Sequence, residues 1–457
     1  MFSTDTYKQR RKKLMAQLKS GLILLPANDY VPANFPKNPF PFRQDSTFLY
    51  YCGIDLPGIF LLINTDKLTT TLFGDQQTID DTIWTGPVPT LTGLAEKSGI
   101  ENVLPLAKLT WEIQNKRVHF VNPYQSEIKL KLLQLLNIPV EQQNANTSKE
   151  LLSAIISQRS FKEEQEIAQI EETLNKVSIP MHREVMLQAK SNTKESELVS
   201  LMHKKVAENE YQMAFLPICS IRGEVLHNNS YSNILQRGNL LLVDAGAENQ
   251  MHYASDITRT TPVDGRFTKQ QREIYSIVLN AQLNCINALK AGEYFMDIHF
   301  IAARTIAEGL ASLGLINCSA DEALDLNIHT LFFPHGIGHM LGLDVHDMEN
   351  LGEDNVGYDK NTQRSNDFGT AYLRLAKKVV TNNVVTIEPG IYFIPALIEK
   401  WKGEKIFPDK INYTALKSYY QFGGIRIEDT VCVQLTGAKV LGEKLQKTID
   451  EIETLCG

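Results

Sequence analysis

Apolar positions along the chain recur at two periods, and the alternation between them outlines the elements. From Tyr7 to Leu18 they come at helical spacing among basic residues, and Leu22–Leu25 is an unbroken apolar run of strand length. Ile59–Ile63, Thr69–Phe73 and Val118–Val121 read as further strands, with helical stretches between them. This alternation predicts an α/β N-terminal domain, closing in the polar stretch Gln142–Ser148. A charged helix is predicted next, from Phe161 to about Val177. Ile167, Ile170, Leu174 and Val177 share its apolar face, while Lys162, Glu163, Glu164, Glu166, Glu171 and Glu172 are expected to face solvent. The boundary is placed just before it, giving domains 1–159 and 160–457.

The second domain carries a well-signalled helix. Thr268 and Gln271 fit a capping box, and Ile274, Ile277, Val278, Ala281, Cys285, Ala288 and Leu289 form one stripe that stops at Gly292. Around it lie four strand-like runs that carry carboxylates: Leu240–Asp244, Tyr253–Val263, Val384–Glu388 and Gly424–Val433. Strands and helices mixed in this way predict an α+β domain.

Composition limits what such a chain can be. At 457 residues it is too long for one ordinary core, which supports two domains. Its apolar runs fall far short of a membrane span. A net charge of −7 offers no basic surface for nucleic acid or an anionic membrane. The first residues lack the apolar core of a secretory signal, so a cytoplasmic location is expected. The six cysteines have no C-x-x-C spacing and are expected to be reduced thiols.

The densest chemistry is His335-Gly336-Ile337-Gly338-His339-Met340-Leu341-Gly342-Leu343-Asp344-Val345-His346, which holds three of the ten histidines. A lone histidine is more often an ordinary packed residue; three interleaved with glycines point to a site. The spacing of His335 and His339 suits two ligands on a helix face, but each glycine costs a helix about 1 kcal/mol relative to alanine. A loop or bent strand in close approach to other backbone is predicted instead. Asp244 ends a buried strand before small residues, and Asp256 follows in a strand-like run. A hydrogen-bonded turn is the ordinary reading of either alone. Glu388, before Pro389-Gly390, and Glu428 sit in apolar strands, where an unpaired carboxylate costs several kcal/mol. Strand period puts Arg426 and Glu428 on one face, so an Arg426–Glu428 ion pair is the structural alternative to a functional role. Four carboxylates and a histidine gathered together need cations. Two divalent ions would supply them, and oxygen-rich ligands favour Mn²⁺, Mg²⁺ or Co²⁺ over a thiolate zinc site. The residues by themselves reach metal-assisted hydrolysis and leave amide and phosphoester substrates open.

Together these segments resemble the pita-bread metallopeptidases, in their Xaa-Pro aminopeptidase and Xaa-Pro dipeptidase (prolidase) branch. The N-terminal stretch Phe42-Arg43-Gln44-Asp45-Ser46-Thr47-Phe48-Leu49-Tyr50-Tyr51 is similar to part of that branch's first domain, which methionine aminopeptidases lack. The resemblance implies an α/β N-terminal domain followed by an α+β pita-bread catalytic domain. It implies Asp244, Asp256, His339, Glu388 and Glu428 as ligands of two divalent ions, manganese first, with cobalt, zinc or magnesium as alternatives. The attacking group would be a metal-bound hydroxide, with Glu388 shuttling a proton and His346 hydrogen-bonding the tetrahedral intermediate. His227 and His335 would line the substrate side, and Arg426 would orient the carboxylate ligands.

One interval departs from the family pattern: Asp244 to Asp256 is one residue longer, with the extra residue expected in the turn Asn249–His252. A slip in register there would displace Asp256. The choice of activity draws on mixed signals. His227 stands 17 residues before Asp244, as in the aminopeptidases, whereas Arg374 and the long stretch from Glu388 to Glu428 resemble prolidases. The preferred reading is an Xaa-Pro aminopeptidase acting on proline-containing peptides, with the dipeptidase as its alternative and a homodimer left open. A metal-free binding protein or a creatinase-type enzyme would lack ligands that this chain keeps; a dinuclear phosphoesterase is the remaining rival.

Overall fold

The computed structural model describes all 457 residues, Met1–Gly457. Strand Leu22–Pro26 is apolar and almost wholly buried, so it lies inside its sheet. It pairs antiparallel with Phe60–Asn64 and parallel with Val118–His119, while Thr69–Phe73 and Asn102–Leu104 extend the other side. Helix Thr4–Gln17 begins at a Ser3 cap. Its arginines are not solvated: Arg11 is buried and donates to the carbonyls of Tyr51, Ser98 and Gly99. By its contacts the chain forms two compact units. One comprises Met1–Arg159 with Met348–Asn355, the other Ser160–Asp347 with Val356–Gly457. No helix is long and apolar enough to cross a membrane.

The second unit opens with helix Glu164–Thr173, which passes through a wide turn, Leu174–Ser178, into helix Ile179–Gln188. The expected end at Val177 is therefore too early. Pro180 explains the turn: it has no N–H to donate, and its ring would crowd the carbonyl four residues back. Here the Ile179 N–H reaches the Leu174 carbonyl, a π-type bond that relieves the clash. The turn faces Ser178 inward, its Oγ 2.7 Å from Ser255 Oγ and accepting from the Ala247 N–H.

Two residues expected at the surface of this helix are buried. Lys162 forms a 2.8 Å ion pair with Asp347, both side chains 1% exposed. Glu166 accepts from the Tyr253 hydroxyl at 2.8 Å and from the Glu163 N–H. Each found a partner distant in sequence, which is what makes a buried charge tolerable.

Strand Leu240–Ala245 is buried at all six positions, between Ile218–Ser220 and Ile257–Pro262, antiparallel to both. The run expected as a strand from Tyr253 thus starts only at Ile257. A second sheet orders Val384–Ile387, Asp429–Gln434 and Gly437–Val440, and Gly390–Tyr392 pairs with Gly424–Arg426. The predicted strand Gly424–Val433 is therefore two strands in different sheets. Between them the Ile427 N–H goes to the Pro389 carbonyl and the Glu428 N–H to that of Thr258, so the chain changes partners at Glu428. The predicted capping box at Thr268 and Gln271 is present on helix Lys269–Ala288. Gly309 lets helix Phe295–Ser312 lie close against it, since a Cβ there would stand 2.5 Å from the Ile277 side chain.

Candidate metal centre

Backbone pairing brings the acidic residues together. Asp244 lies in its strand opposite Thr258, and the register runs without a slip through Ala245↔Ile257 to the bridge Glu248↔Ala254. The long interval is taken up beyond that bridge, where His252 adopts φ 66° and its N–H returns to the Asn249 carbonyl. Asp256 therefore shares a sheet face with Asp244 and Thr258. Gly246 makes this hairpin feasible: a Cβ there would lie 1.8 Å from the Ser255 carbonyl oxygen.

The histidine-rich segment runs along the edge strand as an irregular, bent strand. Thr386 N–H donates to the His339 carbonyl, Glu388 N–H to that of Ile337, and Met340 bridges Val385. Gly338 sits against Thr386, whose carbonyl oxygen would be 2.0 Å from an added Cβ. The expectation of close backbone approach in this segment is met.

His339 Nδ1 bonds its neighbour's carbonyl, that of Met340, at 3.0 Å. That bond places the proton on Nδ1 and leaves Nε2 as a lone pair. Nε2 lies 3.5 Å from Asp256 Oδ2 and 3.7 Å from Glu388 Oε1. Asp256, His339 and Glu428 are buried, with donor atoms that all lie within 4.8 Å of one another. Asp244 Oδ1, Asp256 Oδ1 and Glu428 Oε1 are buried without hydrogen-bond partners. Burial first, then neighbouring carboxylates, holds Asp256 and Glu428 well above the usual carboxylate range, and burial raises Glu388. The Asp256 and Glu428 oxygens and the His339 lone pair lie close enough together to fit a divalent cation, while Asp244 and Glu388 line the same cavity outside that group of three.

Arg426 does not pair with Glu428. Its guanidinium bonds Asp244 Oδ2, Tyr392 Oη at 2.8 Å and Thr258 Oγ1 at 3.3 Å. Thr258 Oγ1 in turn donates to Glu428 Oε2 at 2.7 Å. The alternative pairing that strand period allowed is therefore absent: the break at Ile427 turns Glu428 toward Thr258, and Arg426 pairs with Asp244. Burial opposes the Arg426 charge, but Tyr392, Asp244 and Glu388 outweigh it and hold the guanidinium above its ordinary value.

All ten residues singled out from the sequence line one cavity of about 730 Å³: His227, Asp244, Asp256, His335, His339, His346, Arg374, Glu388, Arg426 and Glu428. The His346 ring stands 4.1 Å from that of His339. His335 Nδ1 donates to the Gly336 carbonyl and Nε2 accepts from Tyr392 Oη, both at 2.8 Å. Burial and the Arg426 charge push His335 down to about 3, so it stays neutral. Phe215, Ile218, Leu226 and Ile394 give the same cavity an apolar part to its lining. Sequence reasoning missed Tyr392 and Thr258. Only the former left a trace, as a tyrosine just past Glu388-Pro389-Gly390.

A buried cluster of carboxylates and histidine on paired antiparallel sheets, opening into a partly apolar cleft, defines a divalent-metal hydrolase. Comparison with known proteins narrows the class. Residues 172–434 match the model of metallopeptidase family M24, and residues 7–118 match the aminopeptidase P N-terminal domain. The chain belongs to metallopeptidase family M24, in its two-domain pita-bread branch. A probable Xaa-Pro aminopeptidase of Fusarium vanettenii is 33% identical over 91% of this chain and 88% of its own. One from Uncinocarpus reesii is 31% identical over 98% and 94%. Aminopeptidase PepP of Pseudomonas aeruginosa superposes with a TM-score of 0.83 at 25% identity, covering 100% of this chain and 98% of its own. Zinc-substituted aminopeptidase P of E. coli, in complex with product, gives 0.82 at 26%, with the same coverage.

Proposed function

We propose that this chain is an Xaa-Pro aminopeptidase, releasing the N-terminal residue of peptides whose second residue is proline. The observation that carries this reading is the convergence of Asp244, Asp256, His339, Glu388 and Glu428 on one cleft, in a chain similar along its length to Xaa-Pro aminopeptidases. These five residues would hold two divalent ions, manganese first. When bound, the ions supply Lewis acidity at the scissile carbonyl and lower the pKa of a water. Glu388, its side chain 18% exposed at the cavity wall, takes a proton from the attacking water and returns it to the leaving proline nitrogen. His346 donates to the oxygen on which negative charge develops. Arg426 holds Asp244 and, through Thr258, Glu428. His335 is kept neutral and oriented by Tyr392. His227 and Arg374 face the peptide, and the apolar part of the lining suits a proline ring.

Steady-state kinetics on Xaa-Pro-Yaa tripeptides and Xaa-Pro dipeptides, with His346→Ala as control, test this. The expected result is turnover of the tripeptide and a loss of about 10²-fold or more in kcat for the variant, the usual scale for a lost transition-state donor. Activity confined to dipeptides would make the enzyme a dipeptidase, and unchanged activity in His346→Ala would refute the mechanism.

A further inference from the structure

The loop that carries His346 is short and closed at its base. The Asp347 N–H donates to the Met340 carbonyl at 2.9 Å, the Gly342 N–H to that of Asp344, and the Ala254 N–H to that of Gly342. Below it lies the Lys162–Asp347 ion pair, with Nζ 2.8 Å from Oδ2 and both side chains 1% exposed. Gly342 is the space these two groups occupy: a Cβ there would lie 2.7 Å from both Asp347 Oδ2 and Lys162 Cε. The other end of Lys162 is tied to a different element. Its N–H donates to the Asn382 carbonyl at 2.9 Å, and Asn382 Nδ2 returns a bond to the Lys162 carbonyl. Asn382, at φ 64°, is the turn that leads into strand Val384–Ile387, and Glu388 follows that strand directly.

We infer that Lys162 is a positioning residue that acts through Asp347, bracing the His346 loop against the strand that delivers Glu388. Two charges removed from water stabilise a fold weakly at best, because desolvation offsets their attraction. A directional bond at the base of a glycine-rich loop does something else: it limits where the adjacent imidazole can point. Small displacements of such a group lower the rate well before they unfold the protein. The inference rests on the role proposed above for His346.

The test is a double-mutant cycle of Lys162→Met with His346→Ala on the metal-loaded enzyme, with metal content measured for each variant. Lys162→Met is expected to lower kcat at least tenfold, to leave KM within about twofold, and to add less than twofold in the His346→Ala background. Additive losses would overturn the inference, since a general structural defect does not depend on His346. If Lys162→Met does not fold, Asp347→Ala, which removes the acceptor of the Lys162 bond, enters the same cycle with the same expectations. An independent readout needs no turnover. In zinc-loaded, histidine-labelled protein the His346 ring signals, assigned by their loss in His346→Ala, are expected to shift in the brace variant. Unshifted signals would overturn the brace even if the substrate class proved different, whereas failure of the wild type on Xaa-Pro-Yaa would refute only the proposed activity.

Discussion

Histidines buried in the second unit are held neutral by their surroundings, and that has a consequence for stability. Burial pushes His182 down to about 4, partly offset by its bond to the Ala245 carbonyl, and pushes His299 to about 3 with help from His329 and His335. In the unfolded chain each returns to about 6.5. A histidine depressed in the folded state binds fewer protons there than when unfolded. Its contribution is therefore intact above about pH 6.5 and is lost as pH falls toward the folded value. Between pH 7 and pH 5 each of the two is expected to remove about 2 kcal/mol. Urea midpoints at the two pH values check this, and a flat profile would refute it. The candidate ligands were legible at this scale because their chemistry is unusual in apolar strands. Tyr392 and Thr258 were not, since a tyrosine and a threonine in strands are ordinary until Arg426 is seen to touch both.

Glycines decide how the elements approach one another. The interleaved glycines from Gly336 to Gly342 pointed to close backbone contact, and Gly338 lies against the Thr386 carbonyl. Gly338→Ala is expected to push His339 off the edge strand, destabilising the fold by about 1–3 kcal/mol, the usual range for overpacking. It should also lower bound metal. Thermal melts together with elemental analysis check both, and a variant with wild-type metal content would show that the edge strand can shift without moving His339. Other features of the elements could not be read locally. The run Gly424–Val433 looks like one strand because its apolar and polar positions alternate throughout. Its break at Ile427 comes from hydrogen bonds to Pro389 and Thr258, which belong to other parts of the chain. Likewise, Lys162 and Glu166 satisfied every local criterion for a solvated helix face. Their partners, Asp347 and Tyr253, lie far along the sequence.

For the whole molecule, a ligand that binds only the folded state adds stability in proportion to the logarithm of its saturation. A divalent ion at a hundred times its dissociation constant adds about 2.7 kcal/mol per site. Protein stripped with a chelator is therefore expected to melt at a lower temperature and to recover on addition of Mn²⁺. Identical melting with and without the ion would count against the candidate centre. The orphaned oxygens of Asp244, Asp256 and Glu428 are the reason for expecting a large effect, because without a cation their desolvation is uncompensated.

The sequence by itself pointed to most element types, to the α/β and α+β character of the two parts, and to ten of the residues that line the cleft. The elements follow from periodicity, the carboxylates from chemistry out of place in apolar strands and the histidine segment from its density. His227 and Arg374 came only from the family resemblance. Tertiary structure alone decided which partner each charge took: Arg426 with Asp244 rather than Glu428, and Lys162 with Asp347 rather than water. It also decided that the strand register runs unbroken from Asp244 to the Glu248–Ala254 bridge, leaving the long Asp244–Asp256 interval to the turn beyond it. The reason is physical. A buried charge is paired by whatever group the fold brings within about 3 Å, and that proximity is set by strand register and sheet crossing, which local sequence does not encode.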